Sequence, residues 1–189
     1  MAFDKELLEI LVCPKCKGDL ELTPKEDGLD CNVCKLRYLI QDDIPIMLTD
    51  QARGFLNNHR VARFATAEPG GQPHVVPICY AVSDNSVYFT IDEKPKRLTN
   101  KPLKRIRNLQ NNPHVALVVD RYEEDWARLG WVMVQGEAAL LDHGEEHTKA
   151  QGLLKARYPQ LHGMQISDLP VIAIRIKRVV SWGNLGTAS

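Results

Sequence analysis

Four cysteines near the start of the chain have the spacing of a metal cage: Cys13 and Cys16, then Cys31 and Cys34. Two residues between thiols let both sulfurs of a pair reach one ion at ~2.3 Å, and two such pairs close a tetrahedron. With all four positions filled by the protein, the predicted ion is a structural zinc with no site open for chemistry. Iron in the same thiolate cage is the chemical rival, and a redox dithiol is the plainer alternative. The first fifty residues are too few for an ordinary core, so a metal is the expected staple.

A second kind of chemistry is suggested by charge. Lys94 to Arg107 carries seven basic residues and no acid, whereas residues 1–50 hold six basic against eleven acidic residues. The net charge is zero, so this asymmetry predicts a local anion site rather than a nucleic-acid surface. Aromatic residues are also scarce in the run, which argues against a platform for stacked bases. A flavin-like cofactor needs a phosphate site and an apolar slot. Lys94, Lys96, Arg97, Arg105 and Arg107 are the predicted phosphate ligands, with Asn108 adding a hydrogen bond. Val76, Pro77 and Ile78 are predicted to line the ring slot, and Thr90 to join them from the strand before the run. The plain alternative for the run is a solvated surface.

Other residues draw bland readings. Cys79 sits in a strand-like stretch and reads as a small buried hydrophobe. Trp131 and Trp182 read as core or interface. His143-Gly144-Glu145-Glu146-His147 matches an inverted zinc-protease pattern. No Glu follows Glu146 to supply a third ligand, and Gly144 weakens the helix that the pattern needs.

The elements that must position these residues are mostly strands. A short helix is predicted over 4–11, capped by Asp4, and the ribbon continues with a strand at 21–23, a turn at 25–28 and a strand-turn-strand over 36–48. Thr49 to Gly54 reads as a polar joint, giving two domains, 1–50 and 51–189. Beyond a helix end at 55–60, strands are predicted at 61–67, 73–82, 87–91, 115–119, 131–140 and 171–180. Turns fall at 69–71 and 83–86. Helices are predicted at 101–109, stopping before Pro113, and at 145–158. Hairpins of this density predict a mainly β fold, a small antiparallel barrel carrying an N-terminal zinc ribbon.

The motifs L-L-E-I-L-V-C-P-x-C and D-D-I-P-I-M-L (42–48) resemble small bacterial zinc-ribbon proteins related to the activator subunit of tRNA and protein methyltransferases. Members usually show Asp-Gly-Ile-Pro where this chain has Asp42-Asp43-Ile44-Pro45. That resemblance implies a domain that binds a protein partner. Residues 60–182 resemble the pyridoxamine-phosphate-oxidase-like split-barrel family, FMN-binding type, nearest its deazaflavin (coenzyme F-420) branch. The segments that carry this are R-V-A-R-F-A-T-A (60–67), G-Q-P-H-V-V-P-I-C-Y (71–80), D-E-K-P-K-R (92–97), L-K-R-I-R-N-L-Q-N-N-P (103–113), V-V-D-R-Y (118–122) and W-V-M-V-Q-G-E-A (131–138). It implies a homodimer that binds deazaflavin, or FMN as the runner-up, in a groove between subunits.

The expected function is therefore an oxidoreductase acting on a small-molecule substrate, with hydride carried by the cofactor. The alternatives are a non-catalytic cofactor-binding protein and an adaptor whose ribbon recruits a methyltransferase or ribosomal partner. No catalytic acid or base stands out. No apolar run approaches the ~18 residues needed to cross a bilayer. The N-terminus lacks the apolar stretch of a signal peptide, and the paired cysteines suit a reducing compartment. The expected location is the cytoplasm.

Overall fold

The structure is a computed structural model that describes residues 8–14, 16–41, 44–45, 48–91 and 102–186. Residues 4–7 of the helix predicted over 4–11 lie outside these residues. Its described end, Leu8 to Ile10, is a turn with 3₁₀ character.

The ribbon is a four-stranded antiparallel sheet, β1 (Glu21–Leu22), β2 (Gly28–Cys31), β3 (Leu36–Gln41) and β4 (Ile44–Pro45), in the order β1-β2-β3-β4. Among the described residues its buried apolar side chains are Cys13, Leu20, Leu29, Cys31 and Tyr38, edged by Leu8, Leu11, Leu22, Leu36 and Ile40. So small a core leaves the sulfur cluster as its centre.

Next comes α1 (Asp50–Asn58), whose Thr49 side chain caps it by accepting a bond from the Ala52 amide at 3.1 Å. The expected polar joint at 49–54 is thus the cap and first turns of a helix. Its polar residues are the cap and the acidic first turn that favour a helix start. Ala52, Phe55 and Leu56 are buried.

The remaining strands are β5 (Val61–Ala67), β6 (Pro73–Cys79), β7 (Ala81–Ser83), β8 (Ser86–Thr90), β9 (His114–Arg121), β10 (Gly130–Leu141) and β11 (Val171–Gly183). Two further helices are α2 (Lys104–Asn111) and α3 (Glu145–Arg157). The strands form one antiparallel sheet in the order β6-β5-β9-β10-β11-β8-β7. Its two edges, β6 and β7, are consecutive in the chain with only Tyr80 between them. In a flat seven-stranded sheet those edges would lie ~29 Å apart, whereas one extended residue spans ~3.4 Å. The sheet must therefore curl until its edges meet, which makes a split barrel. This also divides the strand expected over 73–82 into two.

The barrel interior holds Ala62, Phe64, Ile78, Val87, Phe89, Val115, Leu117, Val119, Val132, Val134, Ile172, Ile174 and Ile176, and Phe64 meets Phe89 edge-on at 4.8 Å. Helices α1 and α2 add Phe55, Leu56, Ile106 and Leu109 to the same core. Outside, α3 sets Ala150 against Tyr88, Val171 and Ala173, and Leu154 and Tyr158 against Ala81. Ser86, Val87, Tyr88 and Phe89 are consequently all buried. Both faces of β8 are covered, one by the barrel core and the other by this helix.

Among the described residues, no helix gives such cover to the outer face of β6, β5, β9 and β10. Register carries one row across it, Pro77–Arg63–Val118–Met133–Val180, beside a second, Val75–Ala65–Ala116–Gln135. At one end Trp131 pairs with Trp182, which is 56% exposed, and Val75 is 58% exposed.

Candidate functional site

The four ribbon sulfurs converge. All lie within 4.8 Å of one another, with Cys16 3.5 Å from Cys31 and Cys13 3.9 Å from Cys34. Bonds of ~2.3 Å in a tetrahedron place sulfurs ~3.8 Å apart, so the donor set fits a thiolate-bound zinc. The two pairs are built alike. Lys17 and Lys35, each one residue past its pair, adopt left-handed φ of 62° and 55°. Their amides bond back to the Cys13 and Cys31 carbonyls at 2.8 and 2.9 Å. Two non-glycine residues in that conformation cost ~1–2 kcal/mol each, a strain repeated at the same place in both loops. The Cys34 thiol is pushed up to about 12, first by its bond with Cys16 and then by burial. Thiols crowded this closely hold their protons unless a cation joins them.

The barrel carries a cavity of about 790 Å³, within the ~300–1,000 Å³ usual for cofactor sites. One wall is β5 and β6, giving Val61, Pro77, Ile78 and Cys79. Another is the end of α3 and the 3₁₀ turn Pro159–Gly163, giving Leu154, Tyr158 and Leu161, with Met164 just beyond. Thr90 and Arg105 close a third side, and Arg60 stands at the mouth of β5. Two guanidiniums and no carboxylate lie among the described lining residues. An anionic group is the natural guest of such a site.

Arg60 is held in place. Its guanidinium donates to the Arg157 carbonyl and lies 5.6 Å from the centre of the Tyr158 ring. Tyr158 is itself fixed: its hydroxyl accepts from the Tyr80 amide at 3.0 Å and lies 2.8 Å from the Arg60 and Tyr80 carbonyls. Arg157 donates to the His59 carbonyl at 2.6 Å. Tyr80 is fully buried and donates to the Leu56 carbonyl at 2.7 Å; burial raises its phenol well above the ordinary range. These bonds tie the end of α3 to the joint between β6 and β7.

Of the residues expected at a cofactor site, the structure brings Pro77, Ile78, Thr90 and Arg105 to this cavity. Lys94, Lys96 and Arg97 lie outside the described residues. Val76 packs against the barrel core, and Arg107 is exposed and away from the cavity lining. Asn108 is buried and donates to Thr66 Oγ1 at 2.9 Å, a tie between α2 and β5. Lys104, from the same basic run, pairs with Glu68.

Cys79 corrects the expectation of a buried thiol. It is exposed and lines the cavity, because inward-facing Ile78 and Tyr80 leave it on the outer face of an edge strand. Arg60, Tyr158 and the 159–164 turn were not foreseen. Arg60 opens a recognisable strand, but nothing local announces a partner about a hundred residues away. The protease-like pattern at 143–147 is occupied otherwise: Glu146 grips Arg175 at 2.5 and 2.8 Å, and His147 Nε2 lies 3.0 Å from the Leu169 carbonyl.

Among the described residues, no helix is long and apolar enough to cross a membrane. Comparison with known proteins agrees with this architecture. Residues 48–183 match the family profile described as pyridoxamine 5'-phosphate oxidase, and residues 4–43 match that of the Trm112p-like proteins. A UPF0434 protein of Dechloromonas aromatica is 60% identical over 50 residues, 26% of this chain and 86% of that protein. The barrel is similar to a FAD-binding protein of Mesorhizobium loti (TM-score 0.53, 27% identity, 67% of this chain and 88% of that one). It shares its fold with the heme storage protein HutZ of Vibrio cholerae (TM-score 0.54, 14% identity, 72% and 94%). The chain therefore belongs to the pyridoxamine 5'-phosphate oxidase family of split barrels, with a Trm112p-like zinc ribbon at its N-terminus.

Proposed function

We propose that the protein is an oxidoreductase that binds a deazaflavin or FMN in the split barrel and a structural zinc in the ribbon. The cavity holding Arg60 and Arg105, with no carboxylate among its described lining residues, carries this reading. Its apolar walls, Pro77, Ile78, Leu154 and Leu161, suit a flat ring, and its guanidiniums suit a phosphate or carboxylate. A bound flavin or deazaflavin supplies hydride transfer. The chain's own residues bind it, orient it against a small-molecule substrate and keep water out. The Tyr158 hydroxyl is taken up by backbone partners, so no general acid or base is assigned.

Titrating FMN and deazaflavin separately into the apo-protein tests this. One of them should bind, and Arg105→Ala should weaken it roughly ten- to a hundredfold, the worth of ~1.5–3 kcal/mol for a bond to a charged group. If neither binds, the oxidoreductase reading falls. A second reading, heme binding without turnover, is favoured by the Cys79 thiol and Met164 thioether on the same lining, both soft iron ligands. It predicts a Soret band on hemin titration that shifts in Cys79→Ala or Met164→Leu.

We further propose a homodimer through the uncovered outer face of β6, β5, β9 and β10. The cavity residues Val61, Pro77 and Cys79 border that face, so a second copy there would wall the site. The exposed Ile10, Val12 and Val33 of the ribbon support contact with a protein partner. Cysteines outside disulfides and an oxidisable thiolate cage suit a reducing compartment such as the cytoplasm.

A further inference from the structure

The four sulfurs of the ribbon are not equivalent. Cys13 and Cys31 are essentially inaccessible, whereas Cys16 is exposed and Cys34 half-buried. Four thiolates around a divalent ion leave a net double negative charge, and charge on a buried atom requires hydrogen-bond donors. Each buried sulfur has one close by. The Cys34 amide donates to Cys31 Sγ at 3.4 Å, and the Tyr38 hydroxyl lies 3.3 Å from Cys13 Sγ. The first is a backbone bond that any residue would make. The second depends on one side chain, 25 positions away, itself only 3% exposed.

With a thiol at position 13 either atom could donate across that contact. A metal-bound thiolate has no proton, so metal binding fixes the direction: the phenol donates and the sulfur accepts. We infer that Tyr38 is a positioning residue of the ribbon's metal site, donating its hydroxyl to the Cys13 thiolate and thereby offsetting the burial of that charge. The inference rests on reading the cysteine quartet as a thiolate metal site. Exposed Cys16 and half-buried Cys34 need no such donor because water reaches them.

A phenol keeps its proton at neutral pH, so the hydroxyl is available to donate. Strand β3 sets the geometry. Tyr38 pairs with Leu29 in β2, which directs its ring into the small core beneath the first cysteine pair.

The test uses the full-length chain and its Tyr38→Phe variant, which keeps the ring and removes only the hydroxyl. Zinc affinity is read by competition with a chromophoric chelator, and cobalt(II) replaces zinc to read the sulfur-to-metal charge-transfer band. The variant should bind zinc about tenfold or more weakly, the usual loss when such an outer partner is removed. Its charge-transfer band should move to lower energy, because an unbonded thiolate gives up electron density more readily. Fluorotyrosine placed at position 38, a stronger donor, should move the band the other way, and it keeps the test valid if the Phe variant packs poorly. Equal zinc affinity with an unmoved cobalt band overturns the inference. A wild-type protein that takes up neither metal overturns the metal site as well, and the two failures are distinct.

Discussion

Glu146 sits between Arg175, which grips both its oxygens, and the Tyr88 hydroxyl, 2.7 Å away. The Arg175 guanidinium, first, and then Tyr88 hold its carboxyl at about 2, against an ordinary 4.5, while burial works in the opposite direction. A depressed carboxyl adds stability above its unfolded pKa and loses it as the pH falls through the folded value. The window here runs from about pH 4.5 down to about pH 2. Glu146 and Arg175 are 38% and 33% exposed, so solvent screening limits the pair to about 1 kcal/mol. Glu146→Gln should therefore be less stable than wild type by about that amount at pH 7, and the gap should close by pH 2. Thermal melts of both proteins across that range measure it, and a gap that stays constant with pH contradicts the assignment.

At the scale of the element, β10 and β11 form the longest ladder in the barrel, and it slips register between Gln135 and Gly136. A Cβ built on Gly136 would meet the Arg175 carbonyl oxygen and come within 3.2 Å of the Ile174 side chain. Only glycine permits that approach. Gly136→Ala should cost ~1–3 kcal/mol, the range for forcing an extra carbon into packed structure. Urea denaturation would show this as a lower midpoint with unchanged slope. Much of this element structure was legible in the sequence, for physical reasons. Strands β5, β9, β10 and β11 announce themselves through apolar stretches and the turns between them, and the ribbon through its cysteine spacing. What escaped lay where a local signal was ambiguous or a contact distant. Thr49 and Asp50 are as suited to a linker as to a helix start. Only α3, arriving from residue 145, buries the second face of β8. Arg105 and Pro77 could be proposed for the site from charge and pattern, but its far wall comes from Tyr158 and the turn after it. The bonds between Tyr80 and Tyr158 span 78 positions, a separation at which sequence pattern carries no information.

For the whole molecule, the uneven cover of the barrel matters most. Helix α3 shields β7, β8 and β11, while Val75, Pro77, Val118 and Met133 face outward from the rest. A face of this composition meets water poorly, and a twofold contact is the commonest way for a chain to cover it. Light scattering should give twice the chain mass of 21.3 kDa at micromolar concentration with cofactor present; a monomer mass would rule the dimer out. The barrel itself is shut by other means. Six of the seven boundaries around its circumference are hydrogen-bonded ladders that can fray, and the seventh, between β6 and β7, is the covalent chain at Tyr80. A single nick there would cut the covalent link between the two edges without breaking one ladder bond. That seam is also fully buried, beneath the ends of α1 and α3. The peptide segment that joins the two edges is thus shielded from proteases while the fold is intact.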